Sequence, residues 1–406
     1  MNAPTTDWTA ASTAELPDVI ALRRAIHADP EIGLHCPRTT AKLRAALEGL
    51  PLEIHESSST TGFVAILRGG AGGASDNGRT VLLRGDMDAL PMAEETGLDF
   101  ASGVPGAMHA CGHDAHSAML VGAARALCAR AESLPGTVVF MFQPGEEGHH
   151  GARFMIEDGL LDIAPADAAF ALHISPNMPS GTVVSRAGPL LASTDALNIT
   201  VEGRGGHAAM PHEGLDPIPV ACEIVTALST FVARQIAVTD PCVLSITKIE
   251  AGSAYNIVPG RVTMLGTLRT LSAATRERAR AGLTRIATHV ALAHGCTAQV
   301  RIDEGYPVTK NDARAIDLVR GIAEGMDPVD GWRTMPAPMM GGEDFSYVLR
   351  EVPGCMAFIG AAPRGSDPNA NPPLHNTRMT IDEGVMANGI ALHCAFAEAV
   401  LERGLG

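Results

Sequence analysis

Positive charge is the first thing this sequence lacks. Lys and Arg number 30 against 45 Asp and Glu, a formal net charge of −15, and no segment carries a basic stripe. Phosphate backbones are bound by such stripes, so the composition argues against nucleic acid as a partner. A disulfide framework is missing too: the cysteines at 36, 111, 128, 222, 242, 296, 355 and 394 are scattered through the chain. Cys222 and Cys394 fall in apolar, helix-like runs and read as small buried hydrophobes. The N-terminal stretch MNAPTTDWTAASTAELPDV has no basic patch leading into an apolar run, so it does not read as a secretory signal. No apolar window reaches the roughly 18 residues that crossing a membrane needs, so no membrane span is expected. A reducing cytoplasm is the expected compartment. Aromatic residues make up only 4% of the chain, a scarcity that does not point to any substrate.

What is present is enough apolar material, 46%, to build a sizeable core, in a chain long enough for two or three domains. Residues 15–27 and 38–47 repeat apolar positions at three and four, as amphipathic helices do. The strand-like runs TGFVAILR and TVLLRGDMD follow, separated by GGAGGASDNG, which reads as a loop. The stretch SAMLVGAARALCARA reads as a helix with Met119, Leu120, Ala123, Ala124 and Leu127 turned inward. GTVVFMFQ and AAFALH are continuous apolar runs, suited to strands buried on both faces. This alternation indicates an α/β domain with a largely parallel centre in a mixed sheet.

The pattern changes near Ala187. STDALNITVEGR alternates at period two, and helices over 217–236 and 273–294 are interleaved with strands over 243–249, 261–270 and 297–302. That order, βαββαβ, is the ferredoxin-like split unit. Residues 187–303 therefore read as a domain inserted between 1–186 and 304–406. Helix over 312–324, the buried strand GCMAFIG and a terminal helix over 382–401 complete the enclosing domain.

Four short stretches carry candidate chemistry. AMHACGHDAH, residues 107–116, holds three histidines, a cysteine and an aspartate. On a regular helix Cys111 and His113 would point about 200° apart. They converge only in a turn before the helix, where Gly112 relaxes the backbone. Taken alone, such a stretch is more often a buried polar turn than a metal site. FMFQPGEEGHHG sets Glu146 and Glu147 directly after a buried strand, an arrangement suited to one ligand and one general base, or to a solvated acidic loop. FALHISP ends another buried strand with His173, and NPPLHN presents His375 after two prolines; either histidine alone would pass as structural. Together the thiolate, imidazoles and carboxylates are the set that a two-ion hydrolytic centre uses.

These stretches, with LRGDMDALPM, GRGGHAAMPH, AYNIVPG, GTLRT and MGGEDFS in order along the chain, resemble the M20 family of metallopeptidases and amidohydrolases. Within it they are most similar to the hippurate and auxin-conjugate amidohydrolases. The resemblance implies a catalytic α/β domain with an inserted lid through which two copies form a homodimer. It implies Cys111, His113, Glu147, His173 and His375 as ligands of two divalent ions, and Glu146 as general base. A thiolate favours Zn2+; Mn2+, Co2+ or Ni2+ is also accommodated, and Mg2+ or Ca2+ is disfavoured. Where the wider family has a histidine ligand in a His-x-Asp pair, this chain has Asp86, so a ligand role for Asp86 is in doubt; Asp88 is expected as a supporting partner. By the same resemblance His207 holds the oxyanion, from its own or a partner subunit, while Asn256 and Arg269 bind the substrate carboxylate or the intermediate. Gly341 and Gly342 are expected to let backbone N–H groups approach the substrate. His109, His116, His149 and His150 read as supporting or solvated groups, and His27, His35 and His289 as unrelated to the site. The activity implied is hydrolysis of N-acyl amino acids. A metallo-carboxypeptidase or dipeptidase on the same site is the first alternative, and a catalytically silent dimeric binding protein the second.

Overall fold

The computed structural model describes residues 7–70, 78–326 and 331–406, so residues 71–77 of the expected glycine-rich loop lie outside the described residues. In chain order come α1 (Thr9–His27), α2 (Pro37–Ala46), β1 (Leu52–Glu56), β2 (Phe63–Arg68) and β3 (Arg79–Asp86). Next are α3 (His113–Cys128), β4 (Gly136–Gln143), α4 (Gly151–Glu157), β5 (Ala168–Ser175) and β6 (Val183–Ser185). Then follow β7 (Ser193–Glu202), α5 (Pro217–Gln235), β8 (Cys242–Ala251), β9 (Arg261–Thr270), α6 (Ala273–Ala293) and β10 (Thr297–Glu304). The chain closes with α7 (Ala313–Gly325), β11 (Trp332–Thr334), β12 (Gly354–Gly360) and α8 (Met386–Arg403).

Two compact units result. One comprises Met1–Leu190, Lys310–Ala337 and Asp344–Gly406, the other Leu191–Thr309 and Pro338–Glu343. The boundaries thus fall a few residues later than 186 and 303, and a second segment joins the inserted unit. Backbone pairing explains that segment: Leu191 bridges Met339, and the Ala192 N–H donates to the Gly341 carbonyl at 2.9 Å.

In the larger unit the sheet order is β1-β2-β4-β3-β5-β12-β6-β11. β3 runs parallel to both β4 and β5, and β5 parallel to β12, whereas β1, β2 and β4 pair antiparallel. The carboxyl ends of β3, β4 and β5 therefore emerge along one edge, where open α/β sheets place their sites. β5 is buried along its whole length, as its unbroken apolar run predicts. Phe63 on β2 stacks on Phe142 of β4 at 4.7 Å, both fully buried, and each such side chain contributes about 1.5–3 kcal/mol. Helix α3 is buried on nearly every face, not on the single face its sequence predicts, because α1 and α8 pack against it as well as β3.

The inserted unit forms an antiparallel sheet in the order β8-β9-β7-β10, with α5 and α6 packed on it. This is the expected ferredoxin-like arrangement. β7 buries alternate residues, and Leu197, Ile199 and Val201 meet Val220, Ile224 and Leu228 of α5 and Leu283 of α6. Asp216 caps α5 by accepting from the Ile218 N–H, and Ser272 caps α6 by accepting from the Thr275 N–H. Cys394 is buried as expected, but Cys222 is exposed: the apolar run of α5 continues onto its outer face. α5 and the segment Glu383–Arg403 are long and apolar enough by composition to cross a membrane, and the second has 78% of its apolar window buried inside the protein.

Candidate metal centre

The turn before α3 is built around one glycine. Gly112 has φ +88°, and a Cβ there would lie 2.4 Å from Ile174 Cγ1, so neither its conformation nor its surroundings admit a larger residue. This left-handed step brings Cys111 and His113 to the same point. His173, at the end of β5, closes that group: its Nε2 lies 3.4 Å from Cys111 Sγ. His173 Nδ1 is 2.6 Å from the Ile174 carbonyl oxygen. A carbonyl only accepts, so Nδ1 carries the ring proton and Nε2 keeps its lone pair.

A second group shares the same sulfur. The ligand atoms of Cys111, Glu147 and His375 lie within 4.8 Å of one another, as do those of Cys111, His113 and His173. His375 Nε2 is 3.2 Å from Glu147 Oε1. The His375 N–H donates to the Ala110 carbonyl at 2.8 Å, which pins this loop beside Cys111, and His375 has φ +61°. A non-glycine residue held there is strained, a feature that concentrates at functional sites. Glu146 is buried, with Oε2 4.0 Å from His113 Nε2.

The electrostatics suit a cation. His375 is pushed up to about 10 by its hydrogen bonds to Cys111 and Glu147. Burial works against charge on His113, yet Asp86 and Cys111 raise it well above the usual imidazole range. Burial also raises the Cys111 thiol, while the two imidazoles pull it down. Both ring nitrogens of the buried His113 lack a hydrogen-bond partner among the described residues. A mixed thiolate, imidazole and carboxylate set with an unpartnered buried imidazole fits divalent transition metals.

Asp88 supports the centre. Its Oδ1 accepts the Glu146 N–H at 2.9 Å and its Oδ2 the Glu147 N–H at 3.1 Å, while Oδ1 lies 3.4 Å from His113 Nδ1. One carboxylate thus orients the loop carrying both glutamates and faces the imidazole. Asp344 anchors the same loop further on, accepting from Gln143 Nε2, Arg84 and the Ala152 N–H. The role of Asp344 is not read from the sequence, where its signal is the Glu343-Asp344 pair directly after Gly341 and Gly342.

Among the remaining histidines, His116 is buried against Asp86, His109 is buried with no hydrogen-bond partner among the described residues, His149 is exposed, and His150 bonds Tyr347 Oη at 3.0 Å. His27 is not unrelated to this region. It is buried between Asp114, next to His113 in sequence, at 2.8 Å and Glu94 at 3.1 Å.

The candidate substrate-binding residues expected of a lid fall into two places within the inserted unit. His207 pairs in register with Ile257, and the Ala208 N–H donates to the Asn256 carbonyl. The Ala209 N–H donates to His207 Nδ1 at 3.1 Å, which leaves the proton on Nε2, exposed and available to donate. Arg269, on β9, is half-buried and its Nε donates to Thr267 Oγ1 at 3.1 Å. A Cβ on Gly342 would lie 2.3 Å from Thr194 Cγ2 and 3.6 Å from a terminal nitrogen of Arg269. Glycine there keeps the backbone close to that guanidinium.

The profile of peptidase family M20/M25/M40 matches residues 82–399. Thermostable carboxypeptidase 1 of Saccharolobus solfataricus is 37% identical over 93% of this chain and 94% of its own length. N-acetylcysteine deacetylase of Bacillus subtilis is 35% identical over 95% of this chain and 97% of its own. A crystal structure of a Bacillus subtilis dinuclear metal binding peptidase of the M20 family superposes with a TM-score of 0.81 at 32% identity, covering 96% of this chain and 99% of the other.

Proposed function

The chain belongs to peptidase family M20/M25/M40, and from that membership and the buried donor cluster we propose that it is a metal-dependent amidohydrolase of N-acyl amino acids. The observation that carries this reading is the convergence of two donor triplets on Cys111, with the buried Glu146 beside them and outside both. Cys111, His113, Glu147, His173 and His375 would hold two divalent ions, Zn2+ or Mn2+ with Co2+ or Ni2+ as substitutes. Bound there, the ions supply Lewis acidity to the amide carbonyl and acidify water.

The chain's own groups do the rest. Glu146 takes a proton from the attacking water and returns it to the departing nitrogen, so the amine leaves neutral. Asp88 keeps Glu146 and Glu147 in register by holding both backbone N–H groups. The Nε2–H of His207 is a donor suited to the oxyanion, in its own or a partner subunit. Arg269, steadied at Nε by the Thr267 hydroxyl, presents a planar fork for the amino acid's carboxylate, beside the backbone at Gly342 and the neighbouring Gly341. Asn256 supplies a further polar group at the His207 strand pair. β8 stands at the edge of its sheet with Val243 and Ile249 exposed, which supports a homodimer through the inserted unit. All eight cysteines are free, in keeping with a reducing cytoplasm.

The carboxypeptidase relative favours a second reading, cleavage of a peptide bond at the same centre. A silent binding protein has no chemical use for the complete set of Glu146 and five ligand positions. The test is amino acid release by the metal-loaded protein from N-acetyl, N-benzoyl and long-acyl amino acids beside dipeptides. Faster turnover of an acyl class supports the amidohydrolase. Turnover of dipeptides alone moves the protein to the peptidases, and none on either overturns both readings.

A further inference from the structure

One buried network touches the donor cluster without belonging to it. Asp86, at the end of β3, is fully buried. Its Oδ1 lies 2.7 Å from His116 Nδ1, and its Oδ2 lies 2.6 Å from Arg84 and 3.5 Å from His113 Nε2. His116 stands one helical turn after His113, so the two rings leave the same side of α3. Their centroids are 5.5 Å apart, and that of His116 is 4.5 Å from His173.

The hydrogen bonds fix what His116 is able to do. The backbone N–H of Ile174 donates to His116 Nε2 at 2.9 Å. An N–H only donates, so Nε2 is bare and the ring proton sits on Nδ1, where Asp86 accepts it. Both nitrogens are committed, and His116 has no lone pair left for a cation. Asp86 is equally committed, to His116 and to the Arg84 guanidinium, whose charge opposes a dication at that carboxylate. So although Asp86, His113 and His116 are close enough together to hold an ion, of the three only His113 has ring nitrogens that make no hydrogen bond among the described residues, with Asp86 and Asp88 facing them at 3.5 and 3.4 Å.

The sheet shows what the pair is for. β3 and β5 pair as far as Arg84 and Ala171; beyond that point His116, not a strand, takes the Ile174 N–H. Gly85 permits this closeness, since a Cβ there would meet the His116 carbonyl oxygen at 3.0 Å and Ser117 Cα at 3.1 Å. Ile174 in turn receives the Nδ1 proton of His173. We propose that Asp86 and His116 are a positioning pair: His116 clamps the backbone behind His173, and Asp86 ties that clamp to His113. The imidazoles of His113 and His173, two of the three that meet Cys111, are thereby aimed in advance. Asp86 is then a positioning residue and not a ligand. The inference rests on the metal-binding reading of Cys111, His113 and His173.

The test is Co2+ titration of the chelator-stripped full chain, followed by the thiolate-to-cobalt and d–d absorption bands. Wild type is compared with His116→Ala, His116→Gln and Asp86→Asn. Loss of a group that orients a ligand weakens metal binding by about 10- to 100-fold, so His116→Ala and Asp86→Asn should bind Co2+ that much more weakly, with displaced bands. His116→Gln, whose oxygen reaches the Ile174 N–H, should recover part of the affinity. A purely structural role would lower the unfolding midpoint of the apoprotein and leave the cobalt bands as in wild type. Wild-type affinity and bands in both His116→Ala and Asp86→Asn overturn the proposal, and if His116→Ala does not fold, Asp86→Asn decides alone. A wild-type protein that takes up no Co2+ instead overturns the metal reading itself.

Discussion

Asp88 holds Glu146 by its backbone: the Glu146 N–H donates to Asp88 Oδ1 at 2.9 Å, and the neighbouring Glu147 N–H donates to Oδ2. A single carboxylate thus sets the reach of the proposed base and of the proposed ligand beside it. Hydrogen bonds to a charged acceptor are worth about 1.5–3 kcal/mol. Asp88→Asn keeps the shape but turns an amide hydrogen toward one of the two N–H groups. Turnover should fall roughly 10- to 100-fold, with a weaker second metal equivalent. Unchanged kcat and metal affinity in Asp88→Asn would remove Asp88 from the site.

The adjacent glutamates should separate cleanly. Glu146→Ala should retain its metal and lose turnover by about 10²–10⁴, the usual contribution of a general base. Glu147→Ala should lose turnover and part of its metal together. Metal content by elemental analysis beside kcat for each variant distinguishes them, and an active Glu146→Ala sinks the assignment of the base.

His27 gives stability a pH dependence of known sign. Burial opposes its charge, but Asp114 and Glu94 hold it at about 9, against about 6.5 in an unfolded chain. The raised value means that its contribution is complete below about pH 6.5 and disappears as pH rises through about 9. Glu94, held at about 2 by His27 and Thr96 despite burial, acts at the other end. Its contribution is present above about pH 4.5 and fades as pH falls toward 2. Chemical unfolding of the metal-free protein should show stability declining between pH 7 and pH 9.5, and His27→Gln should flatten that decline. Parallel curves for the two proteins would contradict it.

The candidate residues of the inserted unit should respond differently from one another. Arg269→Lys replaces a planar fork with a point charge and should raise KM for acyl amino acids by about tenfold or more. The corresponding amino acid amides, which lack the carboxylate, should be unaffected. His207→Ala should lower kcat by about 10²–10³ at unchanged metal content. Equal losses on acid and amide substrates would take the carboxylate away from Arg269.

The ends of β9 are legible to the residue: alternation over 261–270 marks the whole strand. α5 and α6 likewise begin at Pro217 and Ala273, where a capping residue precedes an apolar period. The stretches that hold the donor cluster were also legible, because motif spacing survives in one dimension. Three things were not. α3 is buried all round by helices far away in sequence, so its one-sided period misleads. Residues 338–343 join the inserted unit through backbone pairing with Leu191 and Ala192, which side-chain patterns do not encode. The commitment of His116 depends on where the β3–β5 ladder stops, a tertiary fact that makes one of several spare histidines different from the rest.

The most direct measurement is amide hydrolysis and bound metal followed together while the chelator-stripped protein is titrated with Zn2+ or Mn2+. Hydrolysis of an N-acyl amino acid should be absent at the start. It should rise to its plateau only as the second equivalent per chain is bound, and Glu147→Ala should never reach that plateau. Full turnover by the metal-free protein, or a plateau reached with no metal bound near Cys111, would contradict a hydrolytic centre built on that thiolate.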